Sequence, residues 1–223
     1  MKIKETIMSN FKKLRQQMVN DQLVARGLHD QTVLNALNAV PREAFTPTDL
    51  IESAYRDSPL PIEEDQTISQ PYIVALMTAA LELKSDDRVL EVGTGSGYAA
   101  AVLGEICKTV YTIERHKALA DTAQVKLKET GYTNVQVKHG DGTLGWPEKS
   151  PFDAIIVAAG GPEVPQTLKE QLVIGGRMVI PVGKSLKSQK LVRIRRISKD
   201  EYKTEDLGGV RFVPLIGAAG WGE

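Results

Sequence analysis

The sequence has 223 residues, with 28 Lys plus Arg and 28 Asp plus Glu, so its formal net charge is zero. This length is sufficient for one α/β domain with a buried core. The balanced charge argues against a broad surface for duplex nucleic acid, so we expect no nucleic-acid partner.

The few cysteines and histidines exclude further classes of protein. Cys107 is the only cysteine, which excludes an intramolecular disulfide and a cysteine-based metal cluster, and three scattered histidines give a metal site little support. The lysine-rich N-terminus lacks the apolar segment of a signal peptide, and no stretch approaches the ~20 apolar residues of a membrane span. We therefore expect a cytoplasmic monomer without a metal or a membrane partner.

In chain order, the first predicted elements are two amphipathic helices. Apolar residues spaced by three and four predict the first helix over residues 9–26, with Gly27 ending it. Asp30 is a suitable N-cap for the second helix, which ends at Pro41. The four prolines of residues 41–64 then predict a loop, of a length that is usually functional or disordered.

Residues 66–72, Gln-Thr-Ile-Ser-Gln-Pro-Tyr, lead into a helical apolar run over residues 73–83. Ser69 has two interpretations in this segment. A hydroxyl followed two residues later by proline is typical of a helix start, so spacing alone favours Ser69 as the N-cap. The alternative is that this hydroxyl, at the end of a long loop, binds a ligand.

A glycine-rich turn follows the next predicted strand. Residues 88–92 form a short apolar strand, Gly93, Gly95 and Gly97 follow at alternate positions, and a predicted helix begins at Tyr98. This arrangement presents backbone N–H groups and the positive end of a helix to a ligand. A dinucleotide fingerprint would need glycine at the sixth position, which is Tyr98, and the Gly-Lys-Ser/Thr of an NTPase loop is absent.

The stretch from Glu91 to Gly97, Glu-Val-Gly-Thr-Gly-Ser-Gly, resembles motif I of the class I S-adenosylmethionine-dependent methyltransferases. In that family the loop holds the methionine portion and the ribose of the cofactor. Another nucleotide-binding fold and a non-catalytic relic of the fold are the alternatives. The motif identifies the cofactor and leaves the methyl acceptor open.

Two acids follow later predicted strands. Glu114 lies near the end of the strand of residues 109–115, about 20 residues beyond the first glycine, where it is placed to accept both ribose hydroxyls. A dehydrogenase would use the same arrangement, so Glu114 supports a nucleoside without identifying the cofactor. Asp141 follows the strand of residues 135–138 and resembles the methyltransferase acid that accepts a hydrogen bond from the adenine amino group, although Asp-Gly is also ordinary turn chemistry.

The remaining elements complete the predicted fold. They are a strand over residues 152–159, a helix over 165–173, a turn at 175–176 and a strand over 177–182. A terminal antiparallel pair of strands follows over residues 191–198 and 202–213. The alternation predicts an α/β fold with a doubly wound, mostly parallel, Rossmann-like sheet, an N-terminal helical cap and C-terminal antiparallel strands. We predict one domain over residues 1–223, with the cap and a substrate loop over about residues 9–83 and the cofactor-binding core with the terminal strands over about residues 84–215.

Several further segments carry a common pattern, at residues 40–43 with Phe45, 59–62, 66–75, 91–98, 140–142, 152–155 and 210–215. Together they closely resemble the protein-L-isoaspartate (D-aspartate) O-methyltransferases, from about Phe11 to Leu215. The Thr-Ile-Ser-x-Pro segment is more specific to this family than motif I. One departure is Asp65, where relatives usually have glycine, and another is the tail after Leu215, which is rich in glycine and alanine.

The resemblance implies methylation of the α-carboxylate of L-isoaspartyl residues in damaged proteins and peptides, with D-aspartyl residues as a further candidate. The cofactor is then S-adenosyl-L-methionine and the product S-adenosyl-L-homocysteine. The methyl ester collapses to a succinimide without the enzyme, so repeated cycles return normal aspartate. Since the carboxylate has a pKa near ~3.5, it is already an anionic nucleophile and needs no strong general base. The alternatives are a methyltransferase for another carboxylate or small molecule and an inactive cofactor-binding protein.

The resemblance also implies roles for individual residues. Ser69, assisted by Thr67, is expected to be catalytic by holding the substrate carboxylate. Apart from the resemblance, we hypothesise that the strand edge from Val210 to Val213, with Phe212 within it, pairs with the main chain of the substrate peptide. The residues expected to bind the cofactor are Gln66, Ile68, Glu91, Gly93, Thr94, Gly95, Ser96, Gly97, Glu114, Arg115, Asp141 and Gly142.

Overall fold

The computed structural model of the protein describes the main chain of residues 2–222 and the side chains of residues 10–222. α1 (Lys2–Gln17) is followed directly by a π-helical segment, Met18–Leu23, and a 3₁₀ turn, Val24–Arg26. The helical stretch ends at Gly27, whose φ of 86° lies in the left-handed region that favours glycine. The predicted end at Gly27 is confirmed, and the helix begins earlier than predicted.

α2 (Gln31–Ala39) begins as its sequence predicts. The carboxylate of Asp30 accepts hydrogen bonds from the backbone N–H groups of Thr32 at 3.0 Å and Val33 at 3.2 Å, which is the contact expected of an N-cap. Val40, at the other end, is extended because the residue before a proline is disfavoured in the helical conformation.

The region of residues 41–64, predicted as a loop, contains regular structure. Two 3₁₀ turns, Arg42–Phe45 and Thr48–Ser53, lead to β1 (Leu60–Pro61), which pairs antiparallel with β2 (Thr67–Ile68). Each strand has only two residues, too few for an alternating pattern to predict it. The β1–β2 hairpin places the chain before Ser69 in a defined position.

The start of α3 (Pro71–Ala80) shows that the interpretation of Ser69 as a helix cap is wrong. The N-cap residue is Gln70, and its side chain makes no capping hydrogen bond. Pro71 occupies the first turn, as predicted, and its fixed φ suits the helix start without a hydroxyl cap. The hydroxyl of Ser69 is therefore not required by the helix.

Seven strands form one sheet at the centre of the protein. The elements after α3 are β3 (Arg88–Val92), α4 (Tyr98–Ile106), β4 (Thr109–Glu114), α5 (Lys117–Glu129), β5 (Val135–His139), β6 (Phe152–Val157), α6 (Gln166–Glu170), β7 (Leu172–Ser185), β8 (Ser188–Arg196) and β9 (Tyr202–Val210). The strand order is β5-β4-β3-β6-β7-β8-β9, with parallel pairing from β5 to β7 and antiparallel pairing from β7 to β9. The predicted fold class is confirmed.

The largest difference from the predicted elements lies around β7. The helix predicted over residues 165–173 covers only Gln166–Glu170, and β7 begins at Leu172, so Gly175 and Gly176 lie within the strand. The pairing of β7 with β6 shifts register near its start, and Gly175 has a φ of 84°. The two glycines accommodate a bulge, where their sequence alone predicted a turn.

Apolar side chains form two clusters on the sheet. Val89 of β3 belongs to a cluster that also contains Leu37 of α2 and Leu103 of α4, whereas the next residue, Leu90, packs in the second cluster with Phe152. Successive strand residues point to opposite faces, so a strand that is apolar throughout is buried on both. The first cluster joins the N-terminal helices to the sheet. None of the helices in residues 2–222 is both long and apolar enough to cross a membrane.

Candidate active site

Four parallel strands, β3 to β6, end at the same edge of the sheet, where a cavity of about 820 Å³ opens. The rest of its lining, which we call the opposite wall, consists of the β1–β2 hairpin, the start of α3 and the segment after β9. This volume lies within the range of small-molecule sites. The predicted site residues that line the cavity are Gln66, Thr67, Ile68, Ser69, Gly93, Thr94, Gly95, Ser96, Glu114, Arg115, Gly142, Val210, Phe212 and Val213. The other three, Glu91, Gly97 and Asp141, lie beside these residues in the chain and do not line the cavity.

The backbone of the glycine-rich loop after β3 requires its three glycines. Gly93, Gly95 and Gly97 have φ angles of 94°, 52° and 89°, all in the left-handed region. Gly97 also packs on α5, since a Cβ there would lie 3.4 Å from side-chain atoms of Ala123 and Leu127. This tight course keeps the loop against the sheet, with Gly93 and Gly95 on the cavity wall.

Glu91 lies in β3, beneath the glycine-rich loop. It is 1% exposed, and its Oε2 accepts a hydrogen bond from Thr112 Oγ1 at 2.6 Å. Thr112 Oγ1 lies a further 2.6 Å from Thr94 Oγ1, so a chain of three polar side chains connects the acid to the loop. Burial raises the pKa of Glu91 to about 8, which leaves it largely protonated at neutral pH. Direct binding of the cofactor by Glu91 stays a prediction.

Glu114 connects the end of β4 to the glycine-rich loop. Its Oε2 accepts the N–H of Gly95 at 2.9 Å, and its Oε1 accepts the N–H of His116 at 3.0 Å. The carboxylate is buried yet lines the cavity, and each oxygen keeps a further lone pair with which to accept a ligand hydroxyl. The neighbouring Arg115 is exposed at the cavity wall.

The loop after β5 is held by Asp141. Its Oδ1 accepts the N–H of Thr143 at 2.8 Å and the hydroxyl of Thr143 at 2.7 Å, and its Oδ2 accepts the N–H of Ala218 at 2.8 Å. Partial burial raises the pKa of Asp141, but the hydrogen bonds from Ala218 and Thr143 outweigh it and lower the pKa below its usual value. Gly142 lines the cavity, and a Cβ there would lie 2.4 Å from Val92, so this position requires glycine for packing.

Ser69 lies on the cavity wall opposite the sheet. Its main-chain oxygen accepts a hydrogen bond from Arg42 Nη2 at 2.8 Å, while Arg42 Nε donates to the oxygen of Ala54 at 2.7 Å. Arg42 is fully buried, so this segment is held from behind by a rigid planar group. Among the described residues, the hydroxyl of Ser69 has no hydrogen-bond partner, which leaves it available to a ligand.

The turn of the β1–β2 hairpin explains the departure at Asp65. Glu64 and Asp65 have φ angles of 58° and 54°, in the left-handed region where glycine is free of strain. Asp tolerates this region better than most residues, so the turn is kept with a modest conformational cost. Glu64 also lies 3.3 Å from His116 Nδ1, which links the hairpin to the start of α5.

In the segment after β9, fewer main-chain groups are free to bond a peptide than the sequence predicts. β9 ends at Val210, where a strand to residue 213 is predicted. Phe212 is bonded through its N–H to Gln189 Oε1 at 2.7 Å and through its carbonyl to Gln189 Nε2 at 3.2 Å. The carbonyl of Val213 accepts the N–H of Gly160 at 2.8 Å. The N–H of Phe212 is therefore not available to a ligand, although the residue lines the cavity.

The sequence pattern assigns no role to several other cavity residues, although Tyr72 and Tyr98 lie in the segments of residues 66–75 and 91–98. The guanidinium carbon of Arg26 lies 3.4 Å from the centroid of the Tyr72 ring, and both residues line the cavity. Tyr98 lines it as well, with the guanidinium of Arg42 4.7 Å from its ring centroid. These contacts join residues far apart in the chain, so no periodicity could reveal them. For Arg42, the one signal is its place in the segment of residues 40–43.

Comparisons with known proteins agree with this geometry. A family model described as protein-L-isoaspartate(D-aspartate) O-methyltransferase (PCMT) matches residues 13–220. Protein-L-isoaspartate O-methyltransferase 2 of Pelobacter propionicus is 60% identical over 207 residues, which cover 93% of this chain and 92% of that protein. The protein-L-isoaspartate O-methyltransferase of Rhodopseudomonas palustris is 58% identical over 204 residues, covering 92% of this chain and 94% of that protein.

Solved structures show the same similarity in three dimensions. A protein-L-isoaspartate O-methyltransferase aligns with a TM-score of 0.83 and 32% identity, over 92% of this chain and 67% of that chain. A beta-aspartate methyltransferase from Plasmodium falciparum, solved in complex with S-adenosyl-L-homocysteine, aligns with a TM-score of 0.79 and 26% identity, over 91% of this chain and 98% of that chain.

Proposed function

The chain belongs to the protein-L-isoaspartate(D-aspartate) O-methyltransferase family, and from this membership we propose which of its residues carry out the methyl transfer. It is an S-adenosylmethionine-dependent protein-L-isoaspartate O-methyltransferase, a protein repair enzyme. One observation carries the assignment of the site: the glycine-rich loop and the unbonded hydroxyl of Ser69 line the same cavity.

The sheet wall of the cavity fits the cofactor. The N–H groups of Gly93 and Gly95 donate to Ile113 and Glu114, so the glycine-rich loop offers its carbonyl groups to the methionine portion and the ribose. Glu114 accepts the ribose hydroxyls with its remaining lone pairs, and Asp141, which does not line the cavity itself, holds Gly142 where the adenine binds. Gln66 and Ile68 close the site from the hairpin. When bound, the cofactor supplies a methyl group on a positively charged sulfur.

Glu91 and Gly97 act on the cofactor from behind the loop. The largely neutral Glu91 is connected to Thr94 through Thr112, so its loss changes the position of the loop. Gly97 allows the loop to approach α5. Thr94, Ser96 and Arg115 line the wall and complete the set of cofactor contacts.

The opposite wall receives the methyl acceptor. The hydroxyl of Ser69 donates a hydrogen bond to one oxygen of the isoaspartyl α-carboxylate, with Thr67 beside it on the cavity wall. A neutral donor orients the carboxylate without neutralising its charge, so the second oxygen remains nucleophilic. Because the carboxylate is ionised at neutral pH, the chain needs only to orient it and to exclude water. The buried side chain of Ile68 contributes to this exclusion.

The segment after β9 binds the main chain of the substrate. Val210, Phe212 and Val213 line the cavity, and Arg211 and Val213 offer N–H groups that have no partner among the described residues. Main-chain hydrogen bonds do not distinguish one side chain from another, so isoaspartyl proteins and peptides with different flanking sequences are accepted.

We also propose that the enzyme acts as a monomer, since the glycine-rich loop and Ser69 of the same chain line one cavity. Its lone Cys107 is buried and free, which suits a reducing compartment such as the cytoplasm. Light scattering of the purified enzyme during turnover tests the monomer, and a stable dimer would contradict it.

The decisive assay uses S-adenosylmethionine with a labelled methyl group and two peptides that differ only in an isoaspartyl or an aspartyl linkage. We expect base-labile label on the isoaspartyl peptide alone, since only its α-carboxylate reaches Ser69. A third peptide with D-aspartate measures the wider specificity. Equal labelling of both linkages, or label on a small-molecule carboxylate instead, would contradict the proposed site.

A further inference from the structure

The side chain of Gln189 in β8 bonds the main chain of Phe212, which lies beyond the last paired residue of β9. The backbone of Gln189 pairs with Val210, the last residue of β9. Its side chain reaches two residues further, where Oε1 accepts the N–H of Phe212 at 2.7 Å and Nε2 donates to the carbonyl of Phe212 at 3.2 Å. The amide thus bonds both main-chain groups of Phe212, as a neighbouring strand would.

The surroundings of this amide hold it in one orientation. Gln189 is 3% exposed, and a Cβ at Gly160 would lie 2.3 Å from its Nε2, so glycine is needed there to leave room. The N–H of Gly160 in turn donates to the carbonyl of Val213 at 2.8 Å. A buried amide with both polar ends bonded cannot rotate without losing two hydrogen bonds.

This arrangement leaves a defined set of main-chain groups for a ligand. In the described part of the chain, the N–H and carbonyl of Arg211 and the N–H of Val213 have no hydrogen-bond partner. Both residues line the cavity. Their spacing of two is the one with which an extended peptide pairs along a strand.

We propose that Gln189 is a positioning residue for the substrate peptide. By bonding both main-chain groups of Phe212 to β8, it holds the segment with the free groups of Arg211 and Val213 towards the cavity and so determines the register in which the isoaspartyl residue reaches Ser69. The ligand class is an extended peptide main chain. The inference rests on the proposed function, because it concerns how the same site holds its methyl acceptor.

The chain offers a control in Gln171, a second buried glutamine whose amide also bonds one main-chain N–H and one carbonyl, here of two different residues. Gln171 Oε1 accepts the N–H of Trp146 at 2.8 Å, and Gln171 Nε2 donates to the carbonyl of Leu144 at 2.8 Å. None of these three residues lines the cavity. Gln171→Met therefore removes an equivalent pair of hydrogen bonds away from the substrate wall.

The experiment compares Gln189→Met, Gln189→Glu and Gln171→Met with the wild-type enzyme. For Gln189→Met we expect the KM for an isoaspartyl peptide to rise roughly tenfold, with kcat and the dissociation constant of S-adenosylhomocysteine changed by less than about twofold. Gln189→Glu keeps the acceptor for the Phe212 N–H but turns a carboxylate oxygen towards the Phe212 carbonyl, so its KM should rise at least as far as that of Gln189→Met. If either variant does not fold, the other is used. Gln171→Met should lower the melting temperature and leave KM unchanged.

A second measurement separates positioning from general loss of stability. A set of isoaspartyl peptides is prepared, each with one flanking backbone nitrogen methylated, which removes a single N–H donor. With the wild-type enzyme, KM should rise for the peptide whose methylated nitrogen would donate to the Arg211 carbonyl. It should not rise for the peptide methylated at the adjacent residue. With Gln189→Met this contrast should disappear, because Phe212 is no longer held to β8 and Arg211 and Val213 no longer keep one position towards the peptide.

Each outcome decides the inference. An unchanged KM in both Gln189 variants, an equal rise in Gln171→Met, or an N-methyl pattern that Gln189→Met preserves would overturn it. If the wild-type enzyme binds S-adenosylhomocysteine but methylates no isoaspartyl peptide, the proposed function has failed instead.

Discussion

The two walls of the cavity differ in how far their polar groups are already bonded within the protein. On the sheet wall, both oxygens of Glu114 accept backbone N–H groups, and Asp141 accepts three hydrogen bonds. On the opposite wall, the hydroxyl of Ser69 and the N–H groups of Arg211 and Val213 have no partner among the described residues. The sheet wall is therefore preorganised, whereas the opposite wall has polar groups that are free to bond a ligand.

This difference indicates a division of labour. Groups that are bonded within the protein keep their positions when a ligand leaves, which suits a cofactor that must bind in one pose in every cycle. Groups without a partner gain a hydrogen bond only when the methyl acceptor is bound, so the free energy of these hydrogen bonds contributes to orienting the acceptor for the reaction. Substitutions on the two walls should therefore change different quantities, cofactor affinity on one and turnover or peptide affinity on the other.

The largest expected effect is that of Ser69→Ala. Loss of one oriented donor to the carboxylate should lower kcat about 100-fold, while the dissociation constant of S-adenosylhomocysteine stays unchanged. Steady-state kinetics and calorimetry measure the two quantities. Ser150→Ala is the matched control, because the hydroxyl of Ser150 bonds Pro147 away from the cavity. An equal loss of turnover and cofactor affinity in Ser69→Ala would contradict the assignment of separate roles to the two walls.

Glu114→Gln should show the opposite pattern. The amide cannot accept hydrogen bonds at both ends, so the contacts to Gly95 and His116 cannot both persist. We expect the dissociation constant of S-adenosylhomocysteine to rise about tenfold, with kcat at saturating cofactor nearly unchanged. Glu148→Gln, at an exposed acid, is the control. A fall in kcat without loss of cofactor affinity would place Glu114 on the acceptor side.

The pKa of Glu91 predicts a pH dependence of stability. Burial raises this pKa to about 8, above the value of ~4.3 expected in the unfolded chain. The folded protein thus binds the proton more tightly, and the stabilisation, complete below about pH 4, is lost as the pH rises through 8. Between pH 7 and pH 8, the wild-type protein should lose about 1 kcal/mol of unfolding free energy relative to Glu91→Gln. Urea unfolding at both pH values measures this, and parallel curves for the two proteins would contradict it.

The smallest effect is expected in the hairpin that joins the two walls. Asp65→Gly relieves a left-handed backbone but adds entropy to the unfolded chain, so unfolding free energy should rise by less than about 1 kcal/mol. Glu63→Gly, in the same turn and without a positive φ, should instead destabilise. Urea unfolding of both variants checks the sign. A Glu63→Gly variant as stable as Asp65→Gly would show that the left-handed backbone at residue 65 carries no measurable cost.

The sequence alone predicts the elements whose information is local. The strand of residues 88–92, the three alternating glycines and the helix that begins at Tyr98 are all found where the pattern places them. The N-cap at Asp30 is found as well. In each case a few adjacent residues decide the conformation, through strand burial, positive φ at glycine or a side chain that reaches the nearest N–H groups.

Only the tertiary structure decides the features that depend on distant partners. Ser69 resembles a helix cap in sequence, yet the helix begins one residue later and Arg42, 27 residues away, holds the Ser69 carbonyl. Gln189 bonds Phe212 across 23 residues, and Asp141 bonds Ala218 across 77. A hydrogen bond requires two groups within about 3 Å, and no spacing rule states which remote residues the fold will bring so close. The sequence thus determined the cofactor loop, and the fold decided which acceptor-side groups remain free.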